Sequence, residues 1–145
     1  MKLLRKESHP VVEMLGRTPI WNGLSSQDLN SIVRSAKDLR YNAGEVIVKK
    51  GERGVGFYLI LEGSVEVRSG EIVLSKLGPG QFFGEMSIID DEPRSADVIT
   101  VEPSRCLVLT AWAFESLLSN HPKIALKMLR EFVRRLRDTD KAFSE

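Results

Sequence analysis

Between Leu39 and Thr110 the chain is cut into short pieces by glycine, at positions 44, 51, 54, 63, 70, 78 and 80. The pieces are rich in β-branched and aromatic residues: Val46–Val48, Val55–Leu61, Val65–Val67, Ile72–Leu77, Ala96–Val101 and Cys106–Leu109. Short strands at close spacing, each ended by a turn residue, predict an antiparallel barrel or sandwich. In the stretch 65–68 the side chains alternate, so Val65 and Val67 face a core while Glu66 and Arg68 face out. No helix-length pattern separates the strands, which argues against a parallel sheet.

On both sides of this region the period becomes helical. Residues 11–21 hold apolar positions interrupted by Gly16 and Pro19, which predicts one short helix and a turn. Ser25 or Ser26 is placed to cap a second helix carrying Leu29, Ile32, Val33 and Ala36 on one face. That helix is expected to end near 37. After Thr110 a helix carrying Trp112, Phe114, Leu117 and Leu118 runs to about Asn120, and Pro122 ends it or opens the next. From Lys123 to about Ala142 the residues Ala125, Leu129, Phe132, Leu136, Thr139 and Phe143 recur in steps of four and three. Two accounts fit that stripe, a coiled-coil seam or a face packed on the barrel. The expected organisation is a single domain over 1–145, with helices at about 11–37, strands at about 38–110 and two helices at about 111–142.

The 145 residues are enough for one domain with its own core. With 21 basic and 20 acidic side chains the net charge is +1, which gives no reason to expect a polyanion. Cys106 is the single cysteine, so the chain has no internal disulfide. It is expected to pack as a small apolar side chain, and Trp21 and Trp112 are expected in the core. No apolar run reaches the roughly 20 residues of a membrane span. The opening MKLLRKESHP lacks the apolar core of a signal peptide, so a cytoplasmic chain without a membrane segment is expected. His9 and His121 have no ligand-type neighbours at metal spacing, and no nucleophile with a base partner is apparent. The acids at 90–92 have no base partner and read as a solvated turn. An enzyme is not expected.

Chemistry concentrates in Phe82 to Val98, reading FFGEMSIIDDEPRSADV. A phosphate ester needs converging backbone N–H groups and a guanidinium. Gly78-Pro79-Gly80 makes a tight turn, Gly84 permits close backbone approach, and Glu85 to Ile89 can form one helical turn. Arg94 follows a proline, and its planar fork matches two phosphate oxygens. Ser95 can add a donor. Glu85 would be repelled by a phosphate, so a sugar hydroxyl is its sensible partner. Taken alone, these residues also fit a surface charge and an ordinary turn.

The string FGEMSIIDDEPRSADV resembles the phosphate-binding cassette of the cyclic nucleotide-binding domain family, and NAGEVIVKKGERG and FYLILEGSVEV resemble its barrel strands. The likeness runs from about Leu15 to Thr139. It implies an antiparallel eight-stranded jelly-roll barrel flanked by helices, with a cyclic nucleotide as ligand and no cofactor. It further implies that Glu85 bonds the ribose 2′-hydroxyl and Arg94 clamps the exocyclic phosphate oxygens. Gly84, Met86 and Ser87 fall on the turn whose amides face the ligand, Ser95 on a further phosphate contact, and Phe83 and Ala96 beside them. The pattern departs at Asp97, and cyclic AMP is favoured over cyclic GMP. Thr139 falls where a hydroxyl reaches the adenine amino group, while Arg134 or Arg137 can instead stack on the base. The resemblance implies a sensor coupling occupancy to its last helix, with a homodimer through that helix possible. The alternatives are the sensing part of a transcription regulator and a scaffold with an empty pocket. No helix-turn-helix follows the last helix in these 145 residues, so direct DNA binding by this chain is not expected.

Overall fold

Ser25 stops the turn that precedes the second helix: its backbone is extended and its hydroxyl accepts the Asp28 N–H at 3.1 Å. In the computed structural model the described residues are 11–18, 20–53, 56–90 and 92–144, with backbone alone at 86, 87, 90 and 139–144. Helix α1 covers 11–17. Helix α2 is Ser26–Ser35. It does not reach 37 as the sequence suggests. Ala36 is already extended, and Lys37–Tyr41 forms strand β1 paired with the strand Ser104–Thr110. Lateral pairing has overridden helical continuity there.

The remaining strands are β2 (Val46–Val48), β3 (Gly56–Glu62), β4 (Val65–Ser69), β5 (Ile72–Leu77), β6 (Phe82–Phe83), β7 (Asp97–Thr100) and β8 (Ser104–Thr110). They form two four-stranded antiparallel sheets, ordered β1-β8-β3-β6 and β2-β7-β4-β5. This is the antiparallel two-sheet architecture that the glycine-cut pattern predicts and the jelly-roll class that the resemblance implies, although the two sheets do not join into a closed barrel. Helix α3 is Glu85–Asp90, α4 is Ala111–Asn120 and α5 is Pro122–Ser144. Thr110 caps α4 through its hydroxyl, which accepts the Ala113 N–H at 3.1 Å.

Strand β3 divides the interior. Phe57, Leu59 and Leu61 point to a cluster with Leu15, Trp21, Phe114 and Ile124, so the helices are packed on this sheet. Phe57 stacks on Phe114 with ring centroids 4.5 Å apart. Ile60 points the other way, to a cluster between the sheets with Val65, Phe83, Val98 and Cys106. Burial pushes the Cys106 thiol up to about 12, so it behaves as the apolar filler expected. Val65 faces in as predicted. Glu66, expected to face out, is buried at 8 % exposure, where its carboxylate pairs with Arg68 and Lys76.

The tryptophans separate. Trp21 is 1 % exposed, whereas Trp112 is 79 % exposed and not in the core. Trp112 precedes Phe114 by two positions on α4, which puts it on the opposite side from the buried Phe114 and Leu117. Helix α5 has two apolar faces rather than one. Ile124, Met128 and Phe132 pack on the helix-side cluster, while Leu126, Leu129, Val133 and Leu136 are exposed. The predicted stripe mixed members of both: Phe132 packs inward, Leu129 and Leu136 face out, and the side chains of Thr139 and Phe143 lie outside the described residues. Lys127 ties the start of α5 to the Asn22 carbonyl.

Candidate functional site

The Gly78–Gln81 turn delivers the chain to the site. Gln81 N–H donates to the Gly78 carbonyl at 3.1 Å, and Gly78 N–H donates to the Gln81 side-chain oxygen at 2.8 Å. The turn is fastened to β3 by Gly80 N–H to the Ile60 carbonyl and Ile60 N–H to the Gln81 carbonyl, at 2.8 and 2.9 Å. Strand β6 then pairs Phe83 opposite Tyr58 and Phe82 opposite Leu59. Next comes Gly84 at φ +94, a conformation side chains rarely adopt. A Cβ there would lie 2.5 Å from the Gly56 carbonyl oxygen and 2.9 Å from Arg94 Nη1. The close approach of the arginine requires glycine at 84.

Arg94 is held at both ends. Its N–H donates to the Glu52 carbonyl at 2.8 Å, and its own carbonyl accepts Gly51 N–H at 2.9 Å. Its guanidinium, in a residue only 8 % exposed, donates from Nη1 to the Gly84 carbonyl at 2.6 Å and from Nη2 to the Gly56 carbonyl at 2.9 Å. A guanidinium has five N–H donors. Three therefore remain uncommitted among the described residues. Burial lowers the Arg94 pKa while Tyr58 and Glu85 oppose the shift, and arginine stays charged regardless.

Glu85 opens α3 and is 4 % exposed. Its Oε2 has no hydrogen-bond partner among the described residues. Burial pushes the carboxyl above its ordinary value, against its own backbone N–H and the Arg135 and Arg94 guanidiniums. A buried acceptor left without a donor costs free energy. A ligand hydroxyl would satisfy it.

Arg94 and Glu85 meet at a cavity of about 580 Å³. Phe83, Gly84, Ser95 and Ala96 line it with them, Ser95 exposed and Ala96 buried. Val48, Val67 and Val98 supply apolar walls from the second sheet. The side chains of Met86, Ser87 and Thr139 lie outside the described residues. Arg134 lines the cavity from α5, paired with Glu131, whereas Arg137 is exposed and is not among the lining residues. Sequence reasoning missed Arg135, which lines the cavity with its guanidinium 5.3 Å from the Phe82 ring centre. The available signal was Phe132: three residues earlier on the helix, it packs edge-on to the same Phe82. Glu92, expected in a solvated turn, also lines the cavity, and Asp91 lies outside the described residues. Asp97 is not among the lining residues, and its Oδ1 accepts the Lys50 N–H at 2.7 Å.

Among the described residues no group of His, Cys, Asp and Glu could hold a metal ion, and His9 lies outside them. Nor is any described helix long and apolar enough to cross a membrane.

The family model described as cyclic nucleotide-binding domain matches residues 38–121. The chain is 29 % identical over 133 residues to a CRP-like cAMP-activated global transcriptional regulator of Mycobacterium tuberculosis, covering 88 % of this chain and 59 % of that protein. It is 38 % identical over 113 residues to a cyclic nucleotide-gated potassium channel of Mesorhizobium japonicum, covering 78 % of this chain and 31 % of the channel. Among solved structures, the catabolite activator protein of Thermus thermophilus superposes with a TM-score of 0.78 at 30 % identity, covering 87 % of this chain and 62 % of that one. The chain thus spans little more than half of the regulator it matches and about a third of the channel.

Proposed function

Since the chain belongs to the cyclic nucleotide-binding domain family, we propose that it is a single sensor domain whose cavity takes cyclic AMP and whose occupancy sets the position of α5. The observation that carries this is the meeting of two opposite needs in one cavity. Among the described residues Arg94 has uncommitted donors and Glu85 has an orphaned acceptor. A cyclic nucleotide answers both: phosphate oxygens accept from Arg94, and the ribose 2′-hydroxyl donates to Glu85 Oε2. The amides of Gly84, Met86 and Ser87 and the Ser95 hydroxyl complete the phosphate contacts, with Phe83 and Ala96 beside them. The base extends toward α5, where Arg134, Arg137 and Thr139 are its candidate partners. Cyclic AMP is preferred because the regulator relative is described as cAMP-activated.

Coupling rests on α5 lining the cavity through Glu131, Arg134 and Arg135. A ligand shifts the helix only by its differential affinity for two helix positions. This is a binding module rather than an enzyme, acting in the cytoplasm without touching DNA itself. The exposed row Leu126, Leu129, Val133 and Leu136 suits pairing with a second copy. Light scattering that finds only monomer at high concentration would remove that part. The regulator relative favours a second reading, in which this domain is the sensing part of a transcription regulator.

Thermal unfolding with cyclic AMP, cyclic GMP and 5′-AMP tests the assignment. Ligand at a hundred times its Kd stabilises by about 2.7 kcal/mol, so cyclic AMP should raise Tm most and 5′-AMP least. No shift with either cyclic nucleotide would leave a scaffold with an unused pocket.

A further inference from the structure

The two carbonyls that hold the Arg94 guanidinium come from different segments, Gly56 at the start of β3 and Gly84 after β6. Besides the arginine that bridges them, the ring of Tyr58 lies against both residues. A Cβ on Gly56 would fall 3.2 Å from Tyr58 Cε1, and a Cβ on Gly84 would fall 3.2 Å from Tyr58 Cδ1. The same ring stacks on Phe83, the residue before Gly84, with centroids 4.8 Å apart and planes 3° from parallel. Strand β6 has only two register pairs with β3, and Tyr58 opposite Phe83 is one of them. A cross-strand aromatic pair is thus a large part of what fastens so short a strand. Tyr58 is not among the residues lining the cavity, so its influence there passes through what it touches.

We propose that Tyr58 is a positioning residue whose ring sets the spacing of the Gly56 and Gly84 carbonyls, and through them presents the Arg94 guanidinium to the cavity. Its consequence for ligand affinity rests on the cyclic nucleotide reading above; its consequence for the arginine does not.

Tyr58→Phe keeps the ring, and Tyr58→Leu removes the flat surface. Cyclic AMP affinity, read by calorimetry, is expected within about twofold of native for Tyr58→Phe and weaker by roughly three- to tenfold for Tyr58→Leu. In an Arg94→Ala background, Tyr58→Leu should cost less than about twofold more, because residues acting through one partner are not additive. A general packing role would give the same loss in both backgrounds, and that additivity would overturn the proposal. A second readout needs no ligand: solvent exchange of the Arg94 Nη protons by NMR. It should be slow in the native chain and Tyr58→Phe and faster in Tyr58→Leu. Unchanged exchange in Tyr58→Leu would overturn the proposal even if no nucleotide binds. Native exchange behaving as expected while cyclic AMP fails to bind would count against the ligand alone. Should Tyr58→Leu fail to fold, Tyr58→Met carries the same expectations.

Discussion

On one side of the cavity Arg94 is buried and held by main-chain carbonyls from two segments; on the other Arg134 is exposed and held by Glu131, three residues back on its own helix. The first arrangement is over-determined. It depends on a positive-φ glycine, a tight turn tied to β3, and an arginine whose backbone is itself paired. The second is a surface pair of long side chains, a kind that contributes little and is screened by salt. The contrast teaches where recognition is prepared in advance. The fold brings a buried, held guanidinium and a buried carboxylate acceptor to one cavity, which under the proposed reading meet a phosphate and a ribose hydroxyl. The α5 side has an exposed ion pair and an apolar row, which suits the proposed movement of that helix.

The comparison breaks most readily at Arg94. Removing one partner of a buried, hydrogen-bonded charge pair costs roughly 2–5 kcal/mol, so Arg94→Ala should weaken cyclic AMP binding at least about thirtyfold by calorimetry. Near-native affinity would mean that the prepared wall is not where the phosphate goes.

Glu85 offers a subtler test on the same wall. Burial raises its pKa, so the folded chain keeps this proton at pH values where the unfolded chain has lost it. Stability therefore falls as pH rises from the ordinary carboxylate value, about 4.3, through the raised one. Each unit of elevation corresponds to about 1.4 kcal/mol. Glu85→Gln cannot titrate and should remove that part of the fall in urea midpoints measured across this range. It should be more stable than the native chain near neutral pH and bind cyclic AMP several-fold more weakly. Identical pH slopes for the two proteins would show that the carboxyl is not strained by burial.

The smallest effect belongs to the other wall. Arg134→Ala should change cyclic AMP affinity by less than about threefold, and the change should shrink further in high salt. A loss as large as that of Arg94→Ala would erase the distinction between the walls.

The parts of this molecule that could be read in advance are those whose physics is local. Glycine-cut runs of Val, Ile and Phe marked β2 through β5 and most of β7 and β8, because a half-buried strand must alternate and a turn must bend. Strand β1 escaped because Lys37–Tyr41 is largely charged and exposed, and gains its structure only by lying beside β8. Strand β6 escaped because two residues make no pattern; its partner Tyr58 lies far back in the chain. At the site, Arg94 stood out as the one basic residue between Phe82 and Val98 and Glu85 as the acid directly after Gly84, and it was the resemblance of the whole string that singled them out. Arg135 did not, because a run of arginines on one helix differs only in which face each occupies. That face is decided by Phe132 meeting Phe82, a contact across the fold. Trp112 misled for the same reason: its composition says core, and the helix phase set by Phe114 says surface.

The claim that the phosphate is taken by the prepared wall can be read directly from the arginine side chains. In a chain carrying 15N-labelled arginine, the Nε–H resonances of Arg94 and Arg134 are followed by NMR as cyclic AMP is added to saturation. The account predicts that the Arg94 resonance moves downfield as it donates to phosphate oxygen, while that of Arg134 shifts slightly. An Arg94 resonance that stays in place while Arg134 moves would contradict it.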